Sequence, residues 1–173
     1  SMVAPSSVIG KNGGQGTLNV SGAIVKDGES LQSRIYFAGG LSLGEGSESI
    51  GRITVTDGGL LSTMTNQGST NDTSAYVGVN GGQGSVIING AGSVWQVSGQ
   101  TTQLSMASSN EVGHLSVGES GEGSLTLANG GGLSAGRTGY QYSTSSSGGY
   151  EVMFDNSQLG NLYLANQANG KGT

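Results

Sequence analysis

Three acidic side chains, Glu45, Glu119 and Glu122, and the single histidine, His114, are the residues here whose types could do chemistry. Glu45 and Glu119 each follow a glycine that closes a short apolar run, LSLGE and LSVGE. Two carboxylates facing one gap are the machinery of glycosidic-bond cleavage, one protonating the leaving oxygen while the other activates water or attacks carbon. If the repeats stack at the ~4.8 Å of neighbouring strands, two steps put Glu45 about 9.6 Å from Glu119, at the upper limit for an inverting pair. The intervening repeat carries Val79 at the matching place, which favours solvated turn charges over a catalytic dyad. His114 has no His, Cys or Asp cluster beside it and is expected in a loop.

Glycine clusters are the other candidate. NGGQG occurs at Asn12 to Gly16 and again at Asn80 to Gly84. A phosphate cradle would need a following helix and a Lys-Ser or Lys-Thr pair, and neither follows. The calcium-binding nonapeptide needs an aspartate where this chain has Leu18 and Val86. No catalytic, cofactor or metal ligand is therefore expected, and NGGQG reads as a corner where positive φ angles call for glycine.

The elements that hold these residues repeat. Gly10, Gly44, Gly78, Gly118 and Ala165 each close an apolar run and stand 34, 34, 40 and 47 residues apart. A second alternating run follows each of the first four: TLNV, RITV, SVII and SLTL. Then comes a glycine-rich bend and a third apolar piece: AIV at Ala23, LLS at Leu60, SVWQV at Ser93 and GLSA at Gly132. Three short strands per repeat, separated by bends, predict an all-β parallel β-helix (a β-solenoid) of roughly five to six coils, in one unit spanning residues 1–173. Alternation assigns the faces. Leu18, Ile53, Val86 and Leu125 form one inward ladder, with Val20, Val55, Ile88 and Leu127 in another, while Asn19, Thr54, Ile87 and Thr126 point out. Val8, Ser42, Tyr76, Ser116 and Tyr163 are expected outside, and Trp95, on the face of Ser93 and Val97, in the core or packing a corner.

Composition agrees with a narrow column. Hydrophobic residues make up 33% of the chain, too few for a thick core. The 35 glycines would suggest disorder if no period were present. The net charge of −5 and six dispersed basic residues leave no footprint for nucleic acid or an anionic membrane. No apolar run approaches the ~20 residues of a membrane helix. Cysteine is absent, so disulfides and thiolate sites are excluded. Residues 1–7 are expected to be a tag remnant or linker, and NGKGT at the other end reads as a repeat cut short.

The segments VGVNGGQGSVIINGAGSVW (Val77 to Trp95) and LSVGESGEGSLTLANGGGL (Leu115 to Leu133) resemble the glycine-rich repeats of autotransporter passenger domains, the type V secreted proteins. The resemblance covers most of the chain and degenerates over 137–157, where an extra partial coil is one reading. It implies a right-handed β-helix on the surface of a Gram-negative bacterium or outside it, a membrane barrel elsewhere in the full protein, and a role as adhesin, self-association scaffold or virulence factor. Its implied partners are a host surface protein or glycan, or another passenger, and it supplies no catalytic residues. A polysaccharide-cleaving or glycan-binding β-helix is the alternative.

Connections after the third piece, through residues 26–40, 65–75, 98–114 and 136–161, vary in length and should line one edge of the solenoid. Two readings stand for them, recognition loops or tolerated insertions. On the first, Gln103, Asn110, Tyr140, Tyr142 and Tyr150 are the candidate partner-binding residues.

Overall fold

The computed structural model describes residues 2–4, 7–27, 29–37, 39–64, 73–102, 114–144, 150–154, 162–164 and 170–173. The chain opens with β1 (Met2–Ala4). The first turn runs through β2 (Ser7–Lys11) and β3 (Gln15–Ser21), a hairpin of β4 (Ala23–Lys26) and β5 (Glu29–Gln32), and then β6 (Arg34–Phe37). The second turn is β7 (Leu41–Glu45), β8 (Ile50–Thr56) and β9 (Leu60–Met64), and the third is β10 (Thr73–Val79), β11 (Gln83–Asn89) and β12 (Val94–Thr102). The fourth is β13 (His114–Val117), β14 (Glu122–Ala128) and β15 (Gly132–Thr144), after which β16 (Tyr150–Phe154) folds back. A fifth turn begins with β17 (Leu162–Leu164) and β18 (Lys171–Gly172).

Equivalent strands stack in register, which makes the molecule a parallel β-helix. The first sheet is β2, β7, β10, β13 and β17, and the second is β3, β8, β11, β14 and β18. The third is β1, β6, β9, β12 and β15, extended by antiparallel β16. The expected ladders lie in these registers: Leu18 pairs with Ile53, Ile53 with Val86 and Val86 with Leu125. Ile53, Val55, Val86 and Ile88 are fully buried, whereas Asn19, Ile87 and Thr126 face solvent. Leu127 keeps the register of Ile88 yet is 48% exposed, because β18 pairs only with the start of β14.

The third sheet contributes the largest core side chain. Trp95 is buried between Leu61 and Leu133 in register, and its indole N–H donates to Thr63 Oγ1 at 3.3 Å. That bond satisfies two polar groups that burial would otherwise penalise.

Two parts of the chain differ from the sequence reading. AIV at Ala23 is an arm of the β4–β5 hairpin, and RIYF takes the third-strand slot. The hairpin is pinched off at its base, where Ser33 N–H donates to Gly22 O at 2.8 Å, so Ser33 resumes the coil almost as if it followed Gly22. Ile35 and Phe37 then pair with Leu61 and Thr63. Period-two alternation is present in both segments, and only this closure decides between them. Within 137–157, where an extra partial coil is one reading, Tyr140–Thr144 pair antiparallel with Tyr150–Phe154. Met2–Ala4, within the expected remnant or linker, pairs in parallel with Ile35–Phe37.

Candidate functional site

The corner between the first and second sheets positions the acidic residues. Gly10, Gly44, Gly78 and Gly118 close the first strands with positive φ, and Gly16, Gly51, Gly84 and Gly123 lie one above another just inside the second. These two columns press backbone on backbone. A Cβ on Gly51 or Gly84 would stand 2.5 Å from the amide nitrogen of Gly44 or Gly78. One on Gly44 would collide with Gln83 O. Between them NGGQG turns with Asn80 at φ 53° and Gly81 at φ 81°, closed by Gly82 N–H donating to Val79 O at 3.0 Å. NGGQG is a structural corner.

Serine hydroxyls tie successive corners together. Gly13 N–H donates 2.9 Å to Ser49 Oγ one turn on, and that hydroxyl donates 2.9 Å to Glu45 O. Ser93 does the same at the next corner, accepting from Gly58 N–H at 3.1 Å and donating to Asn89 O at 2.9 Å. Asn80 N–H donates to Ser120 Oγ at 2.8 Å. The sequence reading missed these roles. The available signal was a serine directly before the next strand in two of the bends, Ser49 before Ile50 and Ser93 before Val94.

The acids take separate environments. Glu45 is ion-paired with Lys11 at 2.9 Å and Glu122 with Lys171 at 2.9 Å, each to its register neighbour. Glu119, expected as a solvated charge, is 8% exposed and accepts a hydrogen bond from Ser116 Oγ. Ser116, expected outside, is buried; it lies between Tyr76 and Tyr163 in register, with Glu119 over its hydroxyl. Glu45 and Glu119 thus belong to turns two steps apart, one engaged by lysine and the other buried. His114 begins β13, opposite Thr73. Among the described residues no three His, Cys, Asp or Glu side chains converge as metal ligands.

The rim beyond the third sheet is the second candidate region. The strands β6, β9, β12 and β15 lengthen from 4 to 5, 9 and 13 residues. β12 and β15 stay paired as far as Thr102 and Tyr140, past the width of the coil. Tyr140 pairs with Phe154, Tyr142 with Val152 and Thr144 with Tyr150, so the three candidate tyrosines share one five-rung hairpin. Gln103 and Asn110 lie outside the described residues. Of the four segments expected along this edge, 26–40 divides: its hairpin leaves from the opposite corner, between the second and third sheets.

A third feature went unnoticed in the sequence. On the outer face of the second sheet a groove of about 380 Å³ runs along the solenoid axis, floored by Gly51, Gly84 and Gly123. One wall carries Gln83 and Glu122, and the other Arg52, Ser85 and Ser124. Compared with protein-family models, curated proteins and solved structures, the chain shows no match.

Proposed function

We propose that this chain is part of a bacterial surface protein of the autotransporter-passenger kind, a non-enzymatic adhesin or self-association scaffold that binds through the rim of its third sheet. The observation that supports this reading is the outward growth of that sheet from 4 to 13 residues, ending in the hairpin that carries Tyr140, Tyr142 and Tyr150. A rigid column with a rim of varying length is suited to presenting a surface, because the scaffold bears the stability and the extensions bear the recognition. The resemblance of the repeats to passenger domains supports display outside a Gram-negative cell. The partner is a host surface protein or glycan, or a second passenger. The separated and engaged acids favour this role over glycan cleavage.

The test replaces Tyr140, Tyr142 and Tyr150 together by serine and measures adhesion to host cells and self-association by light scattering. Both should fall while the melting curve stays in place. If both survive in this variant, and again when residues 139–154 are replaced by a short Gly-Ser turn, the rim is not the binding surface. Release of new reducing ends from uronate-containing or neutral glycans would restore the enzyme reading.

A further inference from the structure

The groove on the second sheet suggests a ligand of its own, on a different face from the hairpin and independent of the reading given to it. Its walls carry side chains that hydrogen-bond through amide and hydroxyl groups: Ser85 and Ser124 stack at the ~4.8 Å strand spacing on one wall, and Gln83 stands on the other. Its volume, about 380 Å³, falls in the ~300–1,000 Å³ range of small-molecule sites. Arg52 stands on one wall, exposed, between Thr17 and Ser85 in register. Among the described residues no ion pair or hydrogen bond engages its guanidinium. Lys171, also in the lining, is held by Glu122 at 2.9 Å. Arg52, Lys171 and Glu122 are the charged side chains of the described lining, and with Lys171 and Glu122 engaged by each other, Arg52 is the uncommitted charge.

The geometry points to an acidic oligosaccharide lying along the axis of the second sheet, its carboxylate or sulfate on Arg52 and its hydroxyls on Gln83, Ser85 and Ser124. A planar guanidinium presents paired N–H donors that match such an oxyanion. Over the groove β8, β11 and the start of β14 are paired on both edges, so a peptide lying across them finds no free backbone, whereas sugar hydroxyls need only side-chain partners. A single unpaired arginine is too little for a nucleic-acid backbone. Among the described residues no aromatic side chain lines the groove, so recognition there rests on hydrogen bonds and charge.

The experiment titrates the chain calorimetrically with a uronic-acid oligosaccharide and with the same oligosaccharide after its carboxyls are reduced to alcohols. The acidic form should bind at least about tenfold more tightly, consistent with one charge-assisted hydrogen bond. Arg52→Gln should weaken the acidic form by about 10- to 100-fold and leave the neutral form unchanged, while Arg52→Lys should lie between. Ser85→Ala with Ser124→Ala should weaken both forms. The same triple tyrosine variant that tests the rim should bind the acidic sugar as the parent does, which separates the two sites. Equal binding of acidic and neutral forms, an unchanged affinity in Arg52→Gln with an intact melting curve, or no heat of binding for the acidic form would each overturn the assignment.

Discussion

At the corner between the first and second sheets, four successive turns make the same glycine-on-glycine contact across glycine spacings of 6, 7, 6 and 5 residues; beyond the third sheet, the four strands β6, β9, β12 and β15 all differ in length. The corner is fixed because both sides of the contact are backbone, and backbone cannot be repacked. The rim varies because strands that run past the coil no longer face the core, so their length is not constrained by the column. Stability is concentrated where side chains are absent, and variation where the sheet has left the core.

The largest expected effect breaks the corner. In Gly84→Ala the new Cβ meets Gly78 N at 2.5 Å and Leu43 O at 2.9 Å, and no rotamer relieves a backbone clash. A loss of more than about 4 kcal/mol, or no cooperative melt at all, should appear in urea unfolding. Gly81→Ala sharpens the point. Gly81 has φ +81° but no neighbour closer than 3.8 Å, so its substitution should cost only the left-handed penalty of about 1–2 kcal/mol.

Side-chain packing comes next. Trp95→Ala should cost about 3–5 kcal/mol by emptying the space of a large, fully buried side chain. Ser93→Ala strands the Gly58 N–H and should cost about 1–3 kcal/mol, read from the same denaturation curves. On the rim the expectation reverses. Replacing residues 139–154 by a Gly-Ser turn should leave stability within about 0.5 kcal/mol while abolishing adhesion, since the hairpin pairs only outside the coil.

The stacked ladders and the NGGQG corner were legible because one period of about 34 residues aligned them: Ile53, Val86 and Leu125 follow from spacing and alternation alone. The hairpin at 23–32 was not, because its closure depends on one backbone bond from Ser33 to Gly22. Ser116 and Glu119 were assigned to solvent because alternation tells which face a residue takes and not what lies over that face. Arg52 in its groove was invisible for a related reason. Thr17, Arg52, Ser85 and Ser124 each precede a legible ladder residue, so spacing aligns them, but it does not tell that a groove opens beside them.

The smallest effect sharpens the contrast from the other side. Lys171 and Glu122 sit beside the glycine corner, on its solvent face, and Lys171→Gln removes their ion pair without touching the backbone contact. The hydrogen bond and the charge of Glu122 hold the Lys171 pKa above its usual 10.5. A group whose pKa is raised by folding stabilises fully below its unfolded value and loses that contribution as pH climbs through the folded one. The pair's contribution is therefore complete throughout the neutral range and fades only above pH 10.5. An exposed pair of long side chains loses most of its attraction to water and salt, so the urea midpoint of Lys171→Gln at neutral pH should match the parent. A clear drop that added salt reproduces in the parent would mean that charge, and not glycine contact alone, holds this corner together.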